Sequence, residues 1–430
     1  MIVAFGTDGI RGVAGTWPIT AEVATAVGRV AAARAPARRV IVGADPRPSS
    51  AELSRAIAVG VASAGGVALE AGVLPTSAVG LAVAADPGAL GVMVTASHNP
   101  WTENGFKWLG AGGRKPDDAL AERIGHEIGA ALADRSQASG GWRDDAHAAV
   151  FAGWVAAMDA ALPDRAAIAG RRIALDLANG AASSCWPWLV GLPVHWERVD
   201  GDGQVNEGVG SEHVEALCAR VRGAACAAGL AVDADADRCV LVDEKGTRIP
   251  GDALLWRLAL DRGVSGLAAT VMSSSALELS LPGVDVVRTP VGDRFVRAAM
   301  DAGALPLGGE ESGHLLFADF PAGDALLAGL RALCAAFSVA PTLAEGFSGF
   351  PRLPRCLLRV PVAGRRSLAD WTQLTELTRA EEARLGAGGR IFLRYSGTEP
   401  VLRVLVEGVD GDAVTSIAHA LAALVQADRP

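Results

Sequence analysis

The 430-residue sequence has no Cys-x-x-Cys pair, no excess of basic charge and no uninterrupted apolar stretch long enough to cross a bilayer. Each absence removes a class of function. Six scattered cysteines (Cys185, Cys218, Cys226, Cys239, Cys334, Cys356) argue against a zinc site or a disulfide framework, and for buried, reduced thiols in a cytoplasmic protein. A formal net charge of −9 leaves no sequence-wide basic field for nucleic acid or an anionic membrane, so an anionic ligand must be held by locally gathered cations. Met1-Ile2-Val3-Ala4-Phe5-Gly6 lacks the basic start and long apolar segment of a signal peptide. Gly110-Ala111-Gly112-Gly113 has neither the Gly-x-x-x-x-Gly-Lys-Ser/Thr nor the G-x-G-x-x-G spacing, which excludes nucleotide binding there. Gly-x-Ser-x-Gly, the nucleophile elbow of serine hydrolases, is missing too.

What is present is apolar substance for several cores, half of the residues being hydrophobic. Strands and helices alternate from the start: Thr20 caps a helix to about residue 35, and a strand near 39–43, a helix over 50–64 and a strand at 67–69 follow. This alternation is the α/β signature. The run Ala89–Val94 then reads as a buried strand leading into Thr95-Ala96-Ser97-His98-Asn99-Pro100, where Pro100 ends it. Ser97 therefore sits at a strand's C-terminal end, where open α/β sheets bind ligands. Asn104-Gly105 reads as a tight turn that brings Lys107 close behind Ser97, as a group for proton transfer or phosphate neutralisation. A helix from about Asp117 runs into the polar segment 134–145, a plausible domain boundary.

A second unit begins with a helix near 148–160 and a strand at Arg172–Asp176. Asp200-Gly201-Asp202-Gly203-Gln204 lacks the glycine and glutamate of a calcium loop and reads as a surface loop. Asp233, Asp235 and Asp237, separated only by alanines, continue a buried-looking strand, either along one side of an extended segment or around a turn. Such carboxylates repel one another, and a hard divalent cation such as Mg²⁺ resolves the conflict; a solvated acidic loop is the plainer alternative. A third unit, with strands near 268–271 and 284–287, carries a first polar cluster, Val291-Gly292-Asp293-Arg294, and a second, Gly308-Gly309-Glu310-Glu311-Ser312-Gly313-His314, whose two glutamates, serine and histidine suit sugar hydroxyls. The helix over 324–336, interrupted by Arg331, reads as amphipathic. The last unit has a helix over 367–385, an anion cradle at Arg394-Tyr395-Ser396-Gly397-Thr398 with Arg403 beyond it, and a C-terminal helix capped by Asp412.

Four of these stretches, the serine turn, the triple aspartate, Gly309–His314 and the Arg394–Thr398 cradle, occur in the order found in the α-D-phosphohexomutases, which the sequence resembles along its whole length. With Gly6-Thr7-Asp8-Gly9-Ile10-Arg11-Gly12 and Val291–Arg294 the chain looks most like the phosphoglucosamine mutases among them. The resemblance implies an α/β fold of four domains around a central cleft: three related mixed-sheet units over 1–146, 147–244 and 245–348, and a smaller α+β unit over 349–430. It implies Ser97 as a phosphoserine that joins Asp233, Asp235 and Asp237 on Mg²⁺, and Lys107 and His314 as proton-transfer groups. Arg11, His98, Arg238, Asp293 and Arg294 would line the cleft, and Glu310 and Ser312 would bind sugar hydroxyls. Arg394, Ser396, Gly397, Thr398 and Arg403 would hold the non-reacting phosphate. The implied substrate is a phosphorylated hexosamine or hexose, with a sugar 1,6-bisphosphate as intermediate and activator, in a cytoplasmic monomer or homodimer. Three departures stand out: Ala234 and Ala236 where the family has glycines, Glu311 where the phosphoglucosamine mutases have glutamine, and Tyr395 where they commonly have lysine.

Overall fold

The computed structural model describes residues 3–6, 9–134, 140–162, 164–199, 201, 203–396 and 400–427. Its strands form four sheets in succession along the chain. The first contains β1 (Ile10–Val13), β2 (Arg39–Ala44), β3 (Val67–Val73), β4 (Ala89–Val94), β5 (Glu103–Leu109) and β6 (Gly141–Arg143), ordered β1-β5-β4-β2-β3-β6. Its β4-β2-β3-β6 part is parallel, with β5 and β1 added antiparallel. The second, β11-β10-β9-β7-β8, is built from β7 (Arg172–Asp176), β8 (His195–Arg198), β9 (Ala228–Val232), β10 (Cys239–Asp243) and β11 (Arg248–Ile249). The third, β13-β12-β14-β15, uses β12 (Gly266–Thr270), β13 (Asp285–Thr289), β14 (Leu307–Gly309) and β15 (Leu315–Phe317). The fourth is wholly antiparallel, β16-β18-β17, from β16 (Arg355–Pro361), β17 (Arg390–Tyr395) and β18 (Val401–Glu407). Three mixed sheets followed by a smaller antiparallel one is the expected architecture.

Local chemistry accounts for many of the element ends. The Thr20 hydroxyl accepts from the Val23 amide to start helix Ala21–Arg34, as expected. The chain reverses before β5 through residues 97–102, so Asn104-Gly105 is not a turn but part of β5. Gly105 is there for close approach: a Cβ would lie 2.3 Å from the Ile10 carbonyl oxygen and 2.7 Å from that of Thr95. The polar segment 134–145 holds the short strand β6, which returns to the first sheet beside β3. The helix expected from residue 367 begins at Thr372. The C-terminal helix Gly411–Ala427 is capped by Asp410, which accepts from the Asp412 and Ala413 amides, rather than by Asp412.

The helix Ala325–Phe337 corrects the amphipathic reading most clearly. All of it except Cys334 is buried, because it lies in one apolar core shared by the first three sheets. Arg331 is tolerated there because its guanidinium donates to the Ala161 carbonyl and to both oxygens of Asp319. The N-cap Asp324 accepts from Leu327 N, Ser77 Oγ and Trp154 Nε1, joining segments distant in sequence. The outer face of the first sheet has its own core, and so does the fourth sheet with its helices. Among the described residues, no helix is long and apolar enough to cross a membrane.

Asp252, in the first turn of helix Gly251–Arg262, accepts from the Ser274 amide at 2.7 Å, and burial pushes its carboxyl up from 3.8 to about 6. The folded chain therefore holds a proton that the unfolded chain has lost between those values, and stability falls as pH rises toward and through about 6. Asp252→Asn is expected to raise the melting temperature, relative to the native chain, by more at pH 7.5 than at pH 4.5. Calorimetric scans giving equal shifts at both would contradict this.

Candidate active site

Ser97 follows β4, a strand buried at every position. Its φ of +54° lies in the left-handed region, which costs a non-glycine residue about 1–2 kcal/mol. The loop is held against that cost: Ser97 N donates to Thr95 Oγ1 at 2.8 Å, and Thr95 Oγ1 donates to Asp45 at 2.7 Å. The Ser97 hydroxyl, fully buried, donates to Asp233 Oδ2 at 2.7 Å.

The three aspartates surround a turn between β9 and β10, not an extended segment. Ala236 takes φ +58°, so the alanine accepts the backbone that glycine would adopt more cheaply, and every carboxylate stays in position. Asp233 Oδ1 accepts from the amides of Asp237 and Arg238, at 3.0 and 3.1 Å. Lys107 Nζ reaches Asp235 and Asp237, each at 2.6 Å, and Thr76 Oγ1 donates to Asp235. All three aspartates and Lys107 are buried. Burial, then Asp237 and Asp235, hold the Asp233 carboxyl well above its ordinary range. One oxygen from each aspartate lies within 4.8 Å of the others, and Asp235 Oδ1 finds no hydrogen-bond donor among the described residues. This all-oxygen set fits a hard divalent cation.

Arg238 donates to His98 Nδ1 at 2.8 Å. Burial first, then the Arg238 and Arg11 charges, lower the His98 imidazole to about 4, so it is neutral near pH 7. Arg11 reaches Asn99 of the same loop at 3.5 Å. Gly313, at φ +87°, lies so close to β10 that a Cβ would sit 1.9 Å from the Cys239 carbonyl oxygen, which seats the Gly309–His314 loop directly beside the aspartate turn. Glu310 accepts from Gly292 N at 3.0 Å, tying the expected sugar loop to the polar cluster Val291–Arg294, and burial raises its carboxyl. Ser312 Oγ is enclosed without a hydrogen-bond partner among the described residues.

A cavity of about 450 Å³ opens between residues 109–119 and 293–323, bordered by Asp237, Asp293, Arg294 and His314. Lys115 Nζ pairs with Asp293 at 2.8 Å, His314 Nε2 lies 3.7 Å from the same carboxylate, and Arg294 pairs with Asp118.

The expected site residues thus fall into two groups. Ser97, Lys107, His98, Arg11, the aspartates and Arg238 meet directly, with Asp293, Arg294, Glu310, Ser312 and His314 beside them. Arg394 and Arg403 lie on the fourth sheet, opposite one another in register, and burial followed by the Arg403 charge lowers the Arg394 guanidinium. Ser396 is buried beyond them, while Gly397 and Thr398 lie outside the described residues. The fourth sheet is tied to the third by Glu407, which accepts from Ser274 Oγ, Ser275 N and Arg390 Nε.

Sequence reasoning missed Asp45, Arg47, Thr76, Lys115, Asn206 and Arg359. Asp45 and Arg47 follow the end of β2 as Ser97 follows β4, so the same strand-end rule could have found them. Arg359 shows its place only through register, opposite Arg403.

Models of the phosphoglucomutase/phosphomannomutase family match three parts of the chain: alpha/beta/alpha domain I over residues 3–134, alpha/beta/alpha domain III over 251–351 and the C-terminal domain over 357–424. The phosphoglucosamine mutase of Rhodococcus opacus is 38% identical over 442 residues, covering 98% of each chain. That of Mycolicibacterium vanbaalenii is 40% identical over 448 residues, covering 99% of each. A phosphoglucomutase/phosphomannomutase family protein of Burkholderia thailandensis superposes with a TM-score of 0.78 at 23% identity, covering 100% of this chain and 99% of the other. The N-acetylphosphoglucosamine mutase of Aspergillus fumigatus, solved with GlcNAc-6P and magnesium, gives 0.65 at 18% identity over 99% and 96%.

A cation bound only by the folded chain stabilises it by about 2.7 kcal/mol when present at a hundred times its dissociation constant. Mg²⁺ is therefore expected to raise the melting temperature of the native chain, and the triple variant D233N/D235N/D237N is expected to lose that response. A shift of equal size in the variant would rule out the aspartate turn as the cation site.

Proposed function

We propose that this chain, which belongs to the phosphoglucomutase/phosphomannomutase family, is a phosphoglucosamine mutase interconverting glucosamine 6-phosphate and glucosamine 1-phosphate in the cytoplasm. The observation that carries the reading is Ser97: a buried hydroxyl at a strand end, 2.7 Å from Asp233, in a site that also gathers Asp235, Asp237, Lys107 and Arg238. Four units around the cleft, over 1–146, 147–244, 245–348 and 349–430, would each supply one element: carrier, carboxylates, sugar loop and phosphate cradle.

In the proposed cycle Ser97 begins phosphorylated. The C1 hydroxyl of the 6-phosphate attacks that phosphorus, the P–Oγ bond breaks as the new O–P bond forms, and the hydroxyl proton passes to Lys107 or His314. The resulting 1,6-bisphosphate turns over in the cleft, its 6-phosphoryl group returns to Ser97 Oγ, and the proton goes back to the freed C6 oxygen. Asp233, Asp235 and Asp237, with the Ser97 phosphate, would hold Mg²⁺, which when bound neutralises charge on the transferring phosphoryl group. Phosphoryl transfer needs alignment and charge neutralisation more than covalent help, and Arg11, Arg238 and neutral His98 flank Ser97 accordingly. Glu310 and Ser312 would bind sugar hydroxyls, with Asp293 and Arg294 at the cavity edge. Arg394, Ser396, Gly397, Thr398 and Arg403 would hold the other phosphate.

Two of the departures from the family pattern lose their force. Glu311 pairs with Arg355 of the fourth sheet, so its charge is matched within the chain. Tyr395 packs against the fourth unit's core, on the face opposite Arg394.

Ser97→Ala is expected to abolish mutase turnover, and the native enzyme, primed with a sugar 1,6-bisphosphate, to favour glucosamine phosphate over mannose and glucose phosphates by at least about tenfold in kcat/KM. Full activity in Ser97→Ala would end the carrier assignment. A preference for mannose or glucose phosphate would move the chain to the phosphomannomutase/phosphoglucomutase activity on the same site.

A further inference from the structure

We propose that Arg47 and Asn206 are positioning residues that grip the Ser97 loop from two sides and so fix the direction in which phosphoryl transfer occurs; the inference rests on Ser97 being the phosphate carrier. The Arg47 side chain is wholly buried, and its five N–H donors all have partners. Nε donates to Asp45 Oδ2 at 2.9 Å, Nη2 to the carbonyls of Ser97 and Asn99 at 2.7 and 2.9 Å, and Nη1 to those of Pro100 and Glu103. One planar fork thus spans the loop from its nucleophile to the entry of β5. Asp45, which orients the fork, also accepts from the Thr95 hydroxyl, which itself accepts from Ser97 N.

Asn206 meets the same two carbonyls from the second unit: Nδ2 donates to Ser97 O at 2.8 Å and to Asn99 O at 3.0 Å. Its own backbone is strained, at φ +60°, and is held by Asn206 N donating to Ala178 O. Asp176 anchors both loops involved, accepting from the amides of Ala178 and Gly210 at 2.8 Å each. Next to them, Ser211 N donates to Val232 O, the residue before Asp233. Asn206 is therefore a strut between the serine loop and the strand that carries the carboxylates, and it sets how Ser97 Oγ faces Asp233.

Two sets of donors converging on the carbonyls of Ser97 and Asn99 are more than satisfying those oxygens requires. They over-determine a backbone that would otherwise relax out of the left-handed region. A displacement near 1 Å at a reacting group costs on the order of a hundredfold in rate. Lysine cannot replace Arg47, because three donors on a point charge do not reproduce the fork.

The test compares N206A and R47K with the native enzyme in three measurements: steady-state kinetics, hydrogen exchange and thermal melting. Expected are a fall in kcat of roughly ten- to a hundredfold, a KM for the sugar phosphate within about twofold of native, and faster amide exchange confined to residues 97–105. N206A decides the matter if R47K fails to fold. Native kcat in a folded N206A would overturn the proposal, as would exchange that rises uniformly with a lowered melting temperature, which marks a merely structural role. If the native chain turns over no sugar phosphate, the mutase reading fails instead; unchanged exchange at 97–105 in N206A would still defeat the grip independently.

Discussion

Three carboxylates buried together beside the cavity are the constraint on which the centre of this molecule depends. Left alone they would repel and take up protons, as the raised Asp233 shows. What keeps them together comes from four directions: Lys107 from β5, Thr76 from the first sheet's unit, the amides of the turn itself, and the Ser97 hydroxyl. The same contacts fix where each supporting element stands. β5 must lie beside β4 for Lys107 to reach the turn, and just before Lys107 the Ile10 and Thr95 carbonyls close in on Gly105 and leave no room for a side chain.

Much of this was legible in the sequence because its signals are local. The run before Ser97, the alternating aspartates, the Thr20 cap and the strand-helix alternation each declare themselves within a few residues. The misreadings share a cause, which is that tertiary contact overrides a local signal. Asn104-Gly105 has turn chemistry, yet the β1-β5-β4 pairing makes it strand. Arg331 looks like the polar face of a helix, yet Asp319 and the Ala161 carbonyl allow it to be buried. Arg47 and Asn206 carry no sequence signal comparable to their role, because their partners are backbone carbonyls at least fifty and more than a hundred residues away, respectively.

In the fourth sheet, register alone gathers the arginines of the proposed phosphate cradle. One row across it reads Arg355, Glu407, Arg390, with the acid in the middle shared between two cations and the third sheet. Two rows along, the same face reads Arg359, Arg403, Arg394. Like charges directly opposite on neighbouring strands are unfavourable. The first row is a joint, the second gathers the arginines of the proposed phosphate cradle, and the row Leu357, Leu405, Phe392 lies between them.

The buried helix Ala325–Phe337 also bears on how the chain is made. It completes a core whose other parts begin at Ile41, so that core stays unfilled until the ribosome has delivered about three quarters of the polypeptide. The core shared by the first three sheets therefore closes later than the cores of a nascent chain that folds one domain after another. The outer faces of the first and second sheets, packed by helices Ala21–Arg34 and Ser50–Ser63 and by helix Glu215–Gly223, have their apolar partners earlier in synthesis. During translation the apolar residues that this one helix covers stay exposed until it arrives, the interval in which a chaperone has something to hold.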